Sequence, residues 1–314
     1  MSEPLPEILT LADGFRVWTY DWLCPAPRAV VVLVHGMMDH ALRYADFAQD
    51  MADHDVAILA MDLPGHGHTA AENQVPLGQW TLSEDLRHAQ DAITELVSHA
   101  RTLTRGPVVL LGHSFGALLA QHWGITNSAL IDGLVLSSPT HTAGKPRLLT
   151  AIGWIAARGL TALGLGDVPA TVLDRVTFLG YNRRCQPTRT RFDWLDADSA
   201  VVNAYCSDPY CGFVCCHAFF ANLYGLVLSG SSAPQMIGYR MNLPVLMLAG
   251  EGDPLGNYTR DAARHAQFLR KLGFYKVRLN CYSHTRHETV LDVDKNTVWQ
   301  DIRGWVQWLS HKLR

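Results

Sequence analysis

The chain carries no block of like charge and no basic excess: 26 Lys and Arg against 29 Asp and Glu give a formal net charge of −3. That removes the electrostatic footprint of a nucleic-acid partner and leaves nothing that reads as a charged tail. Cysteine is present in an odd number, 7 in 314 residues, which argues against a disulfide frame and for reduced thiols. Cys206, Cys211, Cys215 and Cys216 lie close together beside His217. They lack any Cys-x-x-Cys pair and their neighbours are aromatic and apolar, so buried free thiols are expected there and no metal. The start, Met1-Ser2-Glu3-Pro4-Leu5-Pro6-Glu7, is acidic and broken by prolines. It lacks the basic and apolar regions of a secretory signal, and the expected location is the cytoplasm. The apolar stretch from Leu148 to Leu163 is interrupted by Arg158 and glycines and is short for crossing a bilayer, so no transmembrane segment is expected.

What the sequence does have is a core. At 48% hydrophobic and 18% charged residues, it is large and apolar enough for one catalytic domain plus an insertion. Asp13-Gly14 between Ile8–Leu11 and Phe15–Tyr20 signals a hairpin, so the sheet should begin antiparallel. Parallel strands are expected at Val30–Val34, Val56–Met61, Val108–Leu111, Leu134–Ser137, Val245–Ala249 and Val277–Tyr282, each a short β-rich apolar run. Thr81-x-x-Glu84 reads as a capping box opening a crossover helix with Leu82, Leu86, Ala89, Ile93 and Leu96 on one face. The rhythm breaks after Pro139. Roughly a hundred residues then intervene before the next core strand, too many for a simple connection. The expected organisation is a core of residues 1–139 and 236–314, helices on both sheet faces, with a mostly helical cap inserted over 140–235.

The chemistry centres on Gly112-His113-Ser114-Phe115-Gly116, a Gly-x-Ser-x-Gly pentapeptide directly after the apolar strand Val108–Leu111. A strand that turns straight into a helix here forces a strained serine backbone and exposes the hydroxyl, so Ser114 is the expected nucleophile. A nucleophilic serine needs a base, and the base needs an acid to fix its tautomer. Asp253 follows the strand Val245–Ala249 in the turn cluster Gly250-Glu251-Gly252-Asp253-Pro254 and is the expected acid, with Glu251 its competitor. His287 follows the last strand in Ser283-His284-Thr285-Arg286-His287-Glu288 and is the expected base, with His284 in reserve. The oxyanion formed on attack must meet preorganised N–H donors: the expected pair is Phe115 N–H and Met37 N–H, the latter in the loop His35-Gly36-Met37-Met38. His35 is read as a structural residue that hydrogen-bonds that loop.

Taken together, Val34-His35-Gly36-Met37-Met38-Asp39-His40, Arg43-Tyr44, Asp62-Leu63-Pro64-Gly65-His66-Gly67, the serine pentapeptide and Arg286-His287-Glu288 resemble the lysophospholipase and monoacylglycerol lipase group of serine α/β-hydrolases. Phe192-Asp193-Trp194-Leu195 and Asp208-Pro209-Tyr210-Cys211-Gly212-Phe213 resemble its bacterial members. Asp39 stands where a glutamate is usual, and His68-Thr69 where an arginine and a serine are. The resemblance implies the α/β-hydrolase fold with its mostly parallel sheet. It also implies the same site: Ser114, Asp253 and His287, with Met37 and Phe115 as oxyanion donors. No cofactor is implied. The expected reaction is hydrolysis of monoacylglycerol, lysophospholipid or similar acyl esters through an acyl-enzyme, with transient contact with lipid surfaces. A short-chain esterase and an aminopeptidase-type enzyme are the rivals within catalysis; Asp193, Asp196, Asp198 and Asp208 would suit the peptidase by holding a substrate ammonium. A non-catalytic ligand-binding hydrolase fold would ordinarily lack a triad member, and none is missing.

Overall fold

Runs such as Ala29-Val30-Val31-Val32-Leu33-Val34 are apolar at every position because both faces of the strand they form are covered. The computed structural model describes residues 4–141, 144–236 and 238–312. It contains one eight-stranded sheet of order β1-β2-β4-β3-β5-β6-β7-β8. The strands are β1 (Leu5–Thr10), β2 (Arg16–Trp22), β3 (Ala29–Val34), β4 (Val56–Met61), β5 (Val108–His113), β6 (Gly133–Ser137), β7 (Val245–Gly250) and β8 (Val277–Tyr282). β2 pairs antiparallel with β1 and β4, and every pairing from β3 onward is parallel. The five strands β3 to β7 are buried along their whole length, whereas edge strand β1 is almost wholly exposed.

Helices close both faces. Helix α1 (Ala45–Ala52) and, at the far end of the chain, α10 (Lys295–Lys312) cover one side through Phe47, Met51, Trp299, Ile302 and Trp305. After the short α2 (Gly67–Glu72), α3 (Glu84–Leu103) and α4 (Phe115–Asn127) cover the other through Ile93, Leu96, Leu119 and Trp123. Helix α3 begins at Glu84 rather than at Thr81, and the reciprocal bonds of Thr81 are made with Asp85: Thr81 N–H donates to Asp85 Oδ2 at 2.6 Å, and Asp85 N–H to Thr81 Oγ1 at 3.2 Å. The box therefore closes one residue later than Thr81-x-x-Glu84 suggests, and Glu84 stays exposed.

Between β6 and β7 the chain forms α5 (Gly144–Leu160), α6 (Thr171–Thr177), α7 (Ser199–Ser207) and α8 (His217–Gly230). Helix α9 (Arg260–Lys271) follows β7. Helix α5 packs along α8 and continues into a wider turn, Thr161–Leu165, kinked at Gly164, whose φ of 81° only glycine adopts freely. By length and composition Pro146–Leu165, 20 residues with a mean hydropathy of 1.5, could cross a membrane. The run is thus longer than Leu148–Leu163, because Gly153, Arg158 and Gly159 are accommodated within helix α5, and only Gly164, near its end, leaves helical geometry.

Candidate active site

Strand β5 delivers Ser114 to the carboxyl edge of the sheet, where the chain enters α4 within a single residue. Ser114 takes that turn at φ 53° and ψ −112°, a region that costs a residue with a Cβ about 1–3 kcal/mol. Both glycines of the pentapeptide are required by close approach: a Cβ on Gly112 would run into the Gly116 carbonyl, and one on Gly116 into the Val34 carbonyl. Ser114 N–H donates to Ser137 O at 2.9 Å, which anchors the strained residue to β6.

The side chains expected to act with Ser114 converge on it from the loops after β7 and β8, beyond the neighbouring strand β6. Ser114 Oγ lies 2.9 Å from His287 Nε2, and His287 Nδ1 lies 3.0 Å from Asp253 Oδ2. The carboxylate fixes the proton on Nδ1 and leaves Nε2 free to accept the hydroxyl proton. Asp253 and His287 are each 2% exposed. Leu255 N–H donates to Asp253 Oδ1 at 2.9 Å, Ser138 Oγ donates to the His287 carbonyl at 2.6 Å, and the rings of Trp194 and His113 each lie 5.0 Å from the His287 ring. Nothing local in the sequence distinguishes a tryptophan that packs on the ring of a distant histidine.

The competing residues lie elsewhere. Glu251 is exposed. The His284 side chain is 77% exposed and pairs with Asp294 at 3.5 Å. His35 is fully buried: its Nδ1–H donates to Gly36 O at 2.7 Å and its Nε2 accepts from Leu63 N–H at 2.9 Å. Burial pushes its pKa down, so the ring is a neutral staple between two loops.

A Cβ on Gly36 would touch the side chains of His113 and Ser114, which places the loop Gly36-Met37-Met38 over the serine. Met37 and Phe115 line the same cavity as Ser114 and His287. Met38 is held at φ 56°, and its carbonyl accepts from Tyr205 Oη at 2.8 Å and from Gly212 N–H at 3.3 Å. One cluster sits behind this loop and carried no role in the sequence reading. Arg43 donates from Nη1 and Nη2 to the two oxygens of Glu288 at 2.6 and 2.7 Å, and from Nη1 to Asp39 Oδ1 at 2.9 Å. Tyr44 Oη donates to Asp39 Oδ2 at 2.9 Å. Burial alone would raise the Asp39 carboxyl, but the Arg43 guanidinium holds it well below the usual carboxylate range. Both partners stood in the quoted motifs; their pairing across 245 residues is a property of the fold.

The cavity over Ser114 measures about 250 Å³. Its wall is largely apolar, from Leu118 on α4, Phe178 after α6, Trp194, and Leu223 and Val227 on α8. The cysteines do not form the buried group expected: Cys215 and Cys216 are buried, Cys211 is half-buried and Cys206 is exposed on the last turn of α7. Donor atoms of His40, Asp208 and Cys211 come within 4.8 Å of one another, but His40 Nε2 and Asp208 Oδ2 already satisfy each other at 2.9 Å.

A serine held at the carboxyl edge of a parallel sheet and hydrogen-bonded to a buried histidine defines a serine α/β-hydrolase. Residues 25–294 match the family model described as serine aminopeptidase, S33, and the chain belongs to that family. The monoglyceride lipase of Rattus norvegicus is 26% identical over 325 residues, covering 99% of this chain and 92% of the relative. The monoacylglycerol lipase of Mycolicibacterium smegmatis is 28% identical over 299 residues, covering 95% and 92%. A thermostable carboxyl esterase from Bacillus coagulans shares the fold with a TM-score of 0.83 at 20% identity, covering 98% of this chain and 99% of its own. The protein is a serine hydrolase.

Proposed function

We propose that the protein hydrolyses carboxylic esters of medium to long acyl chains, monoacylglycerols or lysophospholipids among them, through an acyl-enzyme on Ser114. His287 takes the Ser114 proton as Oγ attacks the ester carbonyl, and Asp253 stabilises the resulting imidazolium. The tetrahedral oxyanion is met by Met37 N–H and Phe115 N–H. Collapse expels the alcohol, which takes its proton from His287, and water activated by the same histidine then releases the acid.

The observation that carries the acyl reading is the apolar cavity of about 250 Å³ directly over Ser114. An apolar cavity of about 150 Å³ already admits a benzene ring, so this one has room for a chain of several methylenes. Helices α5 to α8, within residues 140–235, act as an inserted cap that roofs it. The outer face of the cap is also apolar: Leu148, Leu163 and Leu179 are 62%, 78% and 74% exposed. Exposed apolar side chains of that kind on the cap suit transient contact with a lipid surface that supplies the substrate.

The peptidase alternative requires a free carboxylate for a substrate ammonium. None of the four aspartates Asp193, Asp196, Asp198 and Asp208 offers one. Asp193 accepts from Arg189 N–H and Thr190 N–H, Asp198 caps α7, Asp208 pairs with His40, and Asp196 is fully buried. Asp39 and Glu288, on the cavity wall, are both bound to Arg43, and Asp261 pairs with Arg264 at 3.0 Å. Rates on monoacylglycerols, lysophospholipids, p-nitrophenyl esters and aminoacyl anilides test the proposal. Esters should be cleaved far faster than anilides, and preference for the anilides would overturn it.

A further inference from the structure

We propose that Arg43 is a positioning residue that sets the oxyanion loop and the His287 loop in register with one another, through a single buried guanidinium shared by Asp39 and Glu288. The inference rests on the roles given above to Met37, Ser114 and His287.

Asp39 lies two residues beyond Met37, and Glu288 is the residue after His287. The donor that stabilises the oxyanion and the base that moves the proton belong to loops after β3 and β8, strands separated in the sheet by β5, β6 and β7. Arg43 crosses that gap. Its two nitrogens grip both oxygens of Glu288, and Nη1 also reaches Asp39. A planar fork fixes angle as well as distance, which the point charge of a lysine cannot do. Each partner is in turn tied to the loop it must hold: His40 N–H donates to Asp39 Oδ1 at 2.8 Å, and the Glu288 carbonyl accepts from Leu291 N–H at 2.8 Å. The guanidinium stacks 4.7 Å from the centre of the Tyr205 ring, whose hydroxyl holds the Met38 carbonyl. Side-chain exposures of 9% for Arg43 and 4% for Asp39 and for Glu288 make this a costly arrangement for stability alone, since buried ion pairs are often matched by apolar packing. Its geometry fits alignment. Oxyanion donors act only at about 2.7–3.1 Å from the developing charge, and a misplacement of about 1 Å can cost a hundredfold in rate.

The test compares Arg43→Lys, Asp39→Asn, Glu288→Gln and the Asp39→Asn/Glu288→Gln double variant on one p-nitrophenyl ester. A trifluoromethyl ketone that adds to the nucleophile serves as mimic of the tetrahedral state. Arg43→Lys should lower kcat about a hundredfold with KM within about threefold, and affinity for the ketone should fall in step with kcat. The double variant should lose little more than the worse single one, because either substitution already breaks the register. Circular dichroism and Tm establish folding; if Arg43→Lys fails to fold, the two isosteric substitutions carry the test. Losses that multiply, or losses carried by KM with ketone affinity unchanged, would overturn the proposal. Fluorophosphonate labelling separates the two readings. An adduct on Ser114 with variants at wild-type kcat defeats only the role of Arg43, whereas an adduct elsewhere defeats the assignment of the nucleophile.

Discussion

Asp196 and Asp292 face each other, fully buried, where the stretch Asp193–Asp196 meets the loop that carries His287. Asp196 Oδ2 has no hydrogen-bond partner among the described residues, so two charges buried side by side would go unanswered unless one carboxyl holds a proton. Asp292 is committed as an acceptor: Ala197 N–H donates to Oδ1 at 2.9 Å, and Arg286 N–H to Oδ2 at 2.5 Å. Arg286 Nη1 donates in turn to the carbonyls of Asp193 and Asp196 at 2.5 and 2.8 Å. The proton therefore belongs to Asp196, whose carboxyl is pushed up to about 9 by burial first, then by Asp292 and Glu288.

A carboxyl that binds its proton more tightly folded than unfolded contributes stability that is complete below the ordinary carboxylate pKa of about 3.9 and is lost as pH climbs toward the folded value. Tm should therefore decline between pH 5 and 9. Asp196→Asn supplies a donor that does not titrate, so its decline over that range should be shallower and its Tm at pH 9 higher than wild type. Equal slopes for the two proteins would show that no proton is held there.

His284 and His287 share a loop, but only His287 reaches Ser114. His287→Ala should reduce ester hydrolysis by several powers of ten, as loss of a triad member does. His284→Ala, which removes an exposed ring, should stay within about tenfold, or about 1.4 kcal/mol. The reverse ranking of the two rates would move the base.

Gly116→Ala should destabilise the protein by at least about 2 kcal/mol, because the added methyl meets backbone that cannot yield. Gly304→Ala on α10, where a Cβ meets nothing within 4 Å, should instead stabilise it by about 0.5–1 kcal/mol. Urea denaturation distinguishes the two signs.

If the cavity holds the acyl chain, each buried methylene should contribute up to about 0.8 kcal/mol, nearly fourfold, until the space is full. For esters of one alcohol, kcat/KM should rise from acetyl through at least octanoyl, measured below the micelle-forming concentration. A peak at acetyl or butyryl would reduce the apolar wall to packing and make the enzyme a short-chain esterase.

The central sheet could be read from the chain because strands covered on both faces must be apolar throughout, and Ala29–Val34, Val56–Met61 and Val108–Leu111 leave no other reading at their length. The serine elbow was equally legible, since Gly112 and Gly116 answer to contacts made within a few residues or with the adjacent strand. What escaped was non-local or depended on one residue of register. Nothing in Arg43, Asp39 or Glu288 taken singly announces that they meet. Asp196 looked like a possible ligand for an ammonium because a sequence does not reveal that its partner is another aspartate. Thr81 closes on Asp85 instead of Glu84 because both are acids and only the helix start decides between them. Cys206 was grouped with its neighbours by proximity in the chain, whereas the last turn of α7 carries it to the surface.

The most direct measurement is the site of covalent capture. After incubation with a fluorophosphonate, peptide mass spectrometry should find the adduct on Ser114 of the wild-type protein. Ser114→Ala, folded by circular dichroism, should remain unlabelled and retain only the weak ester hydrolysis left by oxyanion and binding contributions. Equal labelling of both proteins, or full activity in Ser114→Ala, would contradict the account.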